Sequence, residues 1–407
     1  MKSLLAALPI TLLLGCPLRA APIEFTVQGS ETPRTNAIVS FQAPQEWQGI
    51  HLISTPGSSA HSTLQVDEMG SAVMILPQIG SNETLTFTAT NSNTPPPPSQ
   101  ITVEKEGNVL HFRRRNGEKT HPILDYQMEA GAVPEGVPNV FAHGAHLHPV
   151  YSPSGRIVTG NHPADHRWHR GIWMAWTKTE FEDQHPDFWN QGKGEGKEKV
   201  SDRILAEVRF DSLERSWSGP VQAGFVSHHQ FLDHHDGTRE VLNETWEMTV
   251  YDLGPAYVVD LISTQTCAGQ SPLHLPQYHY GGLGVRGPAS WDPVDQVSML
   301  TSNGDNRAKG DSTKAKWVRM SGDVEGQETG LAILIHPDNF RFPQPLRLNP
   351  KNPQLCIAPS QDGDWSIQPG QPYVSKYRLI IRDGASDPLA LEKDWQSYAQ
   401  PLKVTVK

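Results

Sequence analysis

The stretch ITVEKEGNVLHFRRRNGEKTHPILDY, residues 101–126, places two turn signals between three runs of strand-like residues. Glu106-Gly107-Asn108 separates 101–105 from 109–115, and Asn116-Gly117 leads into 118–126. An Asn-Gly pair between such runs is the strongest short-range hairpin signal, because tight hairpin turns demand positive φ and few residues tolerate it. Strands joined by such short turns can pair only antiparallel, since parallel strands need a crossover of a dozen or more residues, roughly.

The same pattern continues outward. Runs rich in β-branched and aromatic residues predict strands at 204–210, 224–232, 240–251, 256–266, 330–335 and 373–382. One good helix is expected, with Asp387 as cap, Pro388 in first position, and Leu389, Leu391, Trp395 and Tyr398 near helical spacing up to Pro401. Many long strands and a single short C-terminal helix predict a mainly β protein. Residues 101–407 are read as a large antiparallel β-sandwich, like the supersandwich of aldose mutarotases by analogy of fold.

Toward the N-terminus, short β segments at 23–27, 37–41, 63–66, 72–76 and 84–89 predict a small β-sandwich domain over 22–94. The prolines Pro95 to Pro98 favour an extended spacer, so 95–100 is read as the linker between domains. Residues 1–21 combine Lys2, an apolar run from Leu4 to Leu14, and the small residues Gly15, Ala20 and Ala21, which is a secretory signal peptide. Leu13-Leu14-Gly15-Cys16 fits lipoprotein processing with Cys16 acylated, and Leu18-Arg19-Ala20 fits ordinary cleavage. Both stay open, and either implies export to the periplasm or outer envelope, with a lipid anchor in the first case.

A net charge of −10, with no basic tract beyond Arg113-Arg114-Arg115, leaves nucleic-acid binding without an electrostatic footprint. Beyond the N-terminus no run approaches the about 20 apolar residues of a membrane-spanning helix. Cys267 and Cys356 lack metal-ligand spacing; they could pair in an oxidising envelope, but two separate buried thiols are the preferred reading.

Chemistry concentrates in GNHPADHRWHRGIWMAWTKTEFEDQHPDFWNQGKGEG, residues 160–196. His162, Asp165, His166 and His169 lie within eight residues, and neutral imidazole serves both as a general base and as a transition-metal ligand. Pro163 and the glycines make a loop leading into a strand at 171–176, and the spacing matches no named metalloprotease motif. Acid–base catalysis is preferred to a metal site or to structural histidines; the nearby His143, His146 and His148 read equally as a polar strand edge. Trp173 and Trp176, three apart on a strand, would face opposite ways, one into the core and one toward a sugar ring. Arg170, Asp187, Trp189 and Asn190 join the expected binding set, and phosphate binding by the glycines after Gln191 is a weak reading because no strand-to-helix turn follows.

A third cluster, QYHYGGLGVRG at 277–287, alternates so that Tyr278 and Tyr280 share one strand face and Gln277 and His279 the other. His279 is assigned an acid–base role, Tyr280 and Arg286 a binding role; a hydrogen-bonded ladder within the sheet is the competing view. The three clusters are expected to meet in one cleft.

The segments NHPADHRWHRGIWMAW, HPDFWNQGKGEG, YHYGGLGVRGPASW, IHPDNFRFPQPLRLNP and PSQDGDWSIQPGQPYVSKYRLIIRDG, in this order, resemble the bacterial family labelled PmoA-like or "methane oxygenase", otherwise a domain of unknown function. The resemblance covers 101–384. Its label implies a metal-dependent oxidoreductase, but that name belongs to an integral-membrane copper enzyme whose spans are missing here. The residues themselves point to an exported carbohydrate-active enzyme using His/Asp acid–base chemistry on a sugar or glycan, with hydrolysis, elimination and epimerisation left open. A carbohydrate-binding or envelope structural protein without catalysis is the alternative beside the oxidoreductase. No cofactor is assigned; a metal ion is left open without being favoured.

Overall fold

The computed structural model describes residues 23–44, 46–54, 61–91, 99–193 and 203–407. The signal-peptide reading at 1–21 and the prolines Pro95 to Pro98 fall outside these residues. Among the described residues the protein is mainly β and antiparallel, built on three large sheets with one longer helix near the C-terminus.

The hairpin stretch forms one end of a nine-stranded sheet. Ser99–Glu106, Val109–Asn116 and Lys119–Gln127 pair in sequence, Glu106 opposite Val109 and Asn116 opposite Lys119. The second turn therefore centres one residue later than its Asn-Gly signal would place it, and Gly107 (φ 55°) and Gly117 (φ 60°) stand first in the two-residue loops. Ser99 and Gln100 already lie in a strand rather than a linker. The sheet continues through His146–Val150, Ile172–Ala175, Gly282–Arg286, Gln354–Ile357, Gln344–Leu348 and Lys314–Ala315.

An eight-stranded sheet packs against it, running in space from Ala206–Trp217 through Ala223–Asp233, Arg239–Asp252, Ala256–Cys267, Tyr373–Asp383, Gln327–Ile335 and Trp317–Val324 to Val297–Thr301. Side chains two apart on a strand share a face, so Ile172 and Met174 enter the core between the sheets with Phe112, Phe225, Trp246 and Leu379. Each such fully buried side chain contributes about 1.5–3 kcal/mol. Trp173 and Ala175 point out of the opposite face into a second apolar cluster, and the candidate site is built there.

The helix Pro388–Ala399 begins as expected: the Asp387 carboxylate accepts from the Ala390 amide at 2.9 Å, and Pro388 needs no intrahelical donor. Leu391, Trp395 and Tyr398 lie against Trp317, Leu334 and Ile380 on the outer face of the eight-stranded sheet, together with Ile38, Val73 and Ile75. These last three belong to the seven-stranded sheet of the N-terminal region, which has its own core around Phe25, Met74 and Phe87. Its final strand, Lys403–Val406, comes from the end of the chain and pairs with Ile23–Gln28, Phe25 opposite Val406. No membrane-crossing helix occurs among the described residues.

Candidate functional site

The centre of the nine-stranded sheet sets the floor. Ile172–Ala175 pairs with Gly282–Arg286, placing Trp173 opposite Gly284. A Cβ on Gly284 would meet the Trp189 ring at 2.5 Å and that of Trp173 at 3.0 Å, so glycine here leaves room for two indoles over the sheet. Their ring centroids are 4.6 Å apart.

The loop 160–171 closes above this floor. The Gly160 amide donates to the Arg286 carbonyl and the Arg286 amide to the Gly171 carbonyl, each at 2.8 Å, and the His162 amide donates to the His169 carbonyl at 3.0 Å. Tight turns, His166 N to Pro163 O and His169 N to His166 O, bring the rings of His166 and His169 into a stack with centroids 4.5 Å apart.

Beside them is a cavity of about 190 Å3. Six residues expected from sequence line it: His166 and His169 from the first cluster, Trp189 and Asn190 from the second, His279 and Tyr280 from the third. Direct contacts join the clusters. Trp189 meets Tyr280 edge-on with centroids at 5.5 Å, the Asn190 Nδ2 donates to the Tyr280 hydroxyl at 3.0 Å, and Arg286 donates to Asp165.

Asp165 stands just behind the lining. Its Oδ2 is 2.9 Å from His166 Nδ1, and it accepts from Arg286 Nη2 at 3.0 Å and Asn352 Nδ2 at 2.8 Å. Burial by itself would raise this carboxyl, but hydrogen bonds and charge from Arg286, aided by His166 and Asn352, hold it well below the usual carboxylate range. An ionised carboxylate only accepts, so His166 carries its proton on Nδ1 and its Nε2 becomes the basic atom.

His169 has the complementary tautomer. Its Nδ1 lies 3.5 Å from Arg286 Nη1, a group that only donates, which leaves the proton on Nε2. Burial first, then the neighbouring His166, Arg286 and Arg170, push its basicity well down against the pull of Asp165, so the ring is neutral at pH 7. The Tyr280 phenol is pushed far up by burial, then by the charge of Asp187 and by Tyr278, and stays protonated. Asp187, fully buried, accepts from the amide of Asn190 at 2.9 Å and from its side chain at 2.8 Å. Among the described residues no carboxylate lines the cavity.

Several expectations need correction. His162 is not with the other two histidines: its ring stacks on His143 at 4.7 Å and its Nδ1 bonds the Arg167 carbonyl, because its positive φ (49°) turns the side chain away. Trp173 and Trp176 do not face opposite ways. The strand ends at Ala175, so both indoles enter the same cluster, fully buried, and neither lines the cavity. Trp176 instead donates to Gln265 Oε1 at 2.8 Å and packs on Trp365 and Tyr373. Residues 277–280 are not a strand but a wall fixed to the turn at 360–364, through Gln277 N to Asp364 (2.7 Å), Tyr278 N to Ser360 O (3.1 Å) and Gln361 Nε2 to His279 O (2.8 Å). The strand is Gly282–Arg286, and Arg286 at its end is buried between Asp165 and Asp292.

Arg170 is also buried and does not line the cavity. Burial pulls its guanidinium down to about 10 against the charges of Glu207 and Glu244, and its Nε has no hydrogen-bond partner. Arg347, Asn349, Gln354 and Trp168 complete the lining. Arg347 had a readable signal, standing between Leu346 and Leu348 in period-two alternation, with both leucines buried.

With His162 diverted, no group of three or more His, Cys, Asp or Glu among the described residues is placed to hold a metal ion. Cys267 and Cys356 are free thiols; Cys356 is fully buried, but Cys267 is only partly so, against the expectation of two buried thiols.

The chain belongs to a family of unknown function (DUF6807), which it matches over residues 117–396. No curated protein matches it in sequence. Among solved structures it is similar to a glycosyl hydrolase family 38 protein from Enterococcus faecalis, at 9% identity and a TM-score of 0.41 over 95% of this chain and 47% of that one. An alpha-mannosidase from Enterococcus faecalis V583 gives 10% identity and a TM-score of 0.38, covering 95% and 46%. A GH36 alpha-galactosidase from Geobacillus stearothermophilus gives 9% and 0.29, covering 70% and 41%. The chain spans less than half the length of these proteins, and likenesses this distant carry no argument about its function.

Proposed function

We propose that this chain is an exported carbohydrate-active enzyme whose cavity holds a sugar unit and whose His166, oriented by Asp165, takes a proton from it. The observation behind this reading is the Asp165–His166 contact of 2.9 Å at a cavity walled by Trp189 and Tyr280. A carboxylate that fixes the imidazole tautomer leaves Nε2 as a general base, and broad aromatic faces suit the C–H faces of a sugar ring. Tyr280, kept protonated, and neutral His169 supply hydrogen-bond donors to the oxygen on which charge develops.

Elimination or epimerisation, which begin with removal of a proton from carbon, fit this set better than hydrolysis. Glycoside hydrolysis usually uses two carboxylates about 5–10 Å apart across the scissile bond. Here Asp165 and Asp187 stand behind the lining, engaged with Arg286, His166 and Asn190. The PmoA-like label, which the family match does not carry, gives no residue a role in this reading. Export rests on the N-terminal segment, and N-terminal mass spectrometry of cell fractions tests whether the mature chain begins at Cys16 or after Ala20.

The functional test is turnover on a panel of neutral and acidic oligosaccharides. His166→Ala and Asp165→Asn should each lower turnover by about 10²–10⁴-fold, with sugar binding retained. Full activity in Asp165→Asn overturns the assignment.

A further inference from the structure

The inner cavity does not end at His279. On the far side of that residue lies a wider cleft of about 510 Å3, bounded by Gln277, Tyr278, Pro345, Lys314 and Asp362, with His279 belonging to both. The strand Gln344–Leu348 also serves the two spaces, giving Pro345 to the outer and Arg347, two residues on and so on the same face, to the inner.

The inner space, about 190 Å3, is smaller than the about 300–1,000 Å3 of pockets that enclose drug-sized ligands. It has room for one sugar ring and not for a chain. We infer that the substrate is an oligosaccharide or polysaccharide, one unit lying in the inner cavity and the adjoining units along the outer cleft over Tyr278. This rests on the carbohydrate reading above and adds the class of substrate to it.

The wall that divides the spaces is built to carry such a chain. Tyr278, His279 and Tyr280 hold their rings within 4.4–4.9 Å of one another, so an aromatic surface runs without interruption from the inner cavity to the outer cleft. Gln361, which also lines the outer cleft, pins it, its Nε2 donating to the carbonyls of His279 (2.8 Å) and Leu346 (3.1 Å). Lys314 and Asp362, paired at 2.5 Å, and Gln277 offer polar groups to sugar hydroxyls on the open side. A mixed polar and aromatic trough suits a glycan better than an apolar peptide face.

The experiment is calorimetric titration of the full-length protein with cello-, manno-, xylo- and galacturono-oligosaccharides of one to five units. Affinity in the recognised series should rise at least tenfold between one and three units. Tyr278→Ala should lose far more affinity for the trimer than for the monomer, while Tyr278→Phe, which keeps the ring face, retains the gain. Tyr278 is only partly buried, so circular dichroism should show the fold preserved. If the monomer binds as tightly as the trimer, or if Tyr278→Ala weakens both equally, the extended site is wrong and the sugar-binding reading survives. If no sugar of any length binds, both fall.

Discussion

Arg286 Nη2 lies 3.0 Å from Asp165 Oδ1, joining residues 121 positions apart in the chain. The guanidinium is 1% exposed and also pairs with Asp292, so one buried cation at a strand end holds the loop of the histidine cluster and the carboxylate that orients His166.

Arg286→Gln should therefore act on stability and on its acid limb together. Removing one partner of a buried ion pair costs about 3–5 kcal/mol, and the half-exposed carboxylates here put the loss at the lower end. Because Asp165 has its acidity strengthened in the folded state, its contribution is complete above the ordinary carboxylate value of about 3.9 and disappears as pH falls through its lower folded value. The stability gap between wild type and Arg286→Gln should thus narrow below about pH 4. Thermal unfolding of both proteins from neutral to acid pH measures it, and a gap constant down to the acid limit contradicts the coupling.

Local signals were the legible ones. Gly107 and Gly117 meet the φ demands of tight turns, and Asp387-Pro388 marks a helix start, because each constraint acts between neighbours in sequence. The convergence of the three clusters could be anticipated because each combines titratable groups, glycines and aromatics. What no local pattern records is long-range pairing: Lys403–Val406 joins Ile23–Gln28 through contacts between the two ends of the chain. Trp176 escapes the alternation pattern because face alternation holds only while the strand continues, and it stops at Ala175. Proximity in sequence groups His162 with His166, but its own positive φ goes with a ring stacked on His143.

A second pH effect belongs to the buried imidazoles. His143, His146 and His169 are held well below their ordinary value chiefly by burial, and His148 is pushed down to about 4 by burial and then by His162. The unfolded chain takes up these protons near pH 6.5, before the folded protein does, so stability falls as pH drops below about 6.5. For His148 the window closes near pH 4 and the loss is on the order of 3 kcal/mol. Calorimetric unfolding should show a falling midpoint from pH 7 to 5, and His148→Gln, replacing the ring bonded to Thr159 Oγ1 at 2.9 Å, should make that slope shallower. A midpoint independent of pH over this range refutes the argument.

Beneath the aromatic cluster, a buried polar chain runs through the sandwich. Tyr126 meets His229 Nε2 at 2.7 Å, His229 Nδ1 lies 2.9 Å from Glu244 Oε2, and Ser263 and Gln265 donate to Glu244 Oε1 at 2.6 and 2.9 Å. Gln265 then accepts from Trp176, linking the core to the layer that backs the site. The His229 and Glu244 side chains are 0% exposed, so water cannot replace a missing partner. Glu244→Ala leaves an imidazole, a hydroxyl and an amide unsatisfied and should cost about 3–5 kcal/mol. Glu244→Gln keeps the shape and one acceptor and should cost less, yet it still replaces one acceptor oxygen with a donor. A double-mutant cycle with His229→Ala separates the two groups: residues sharing one network couple by about 0.5–3 kcal/mol, whereas independent sites add. Strict additivity in denaturant unfolding would show that His229 and Glu244 stabilise the fold separately, and the chain from Tyr126 to Trp176 would then not act as a unit.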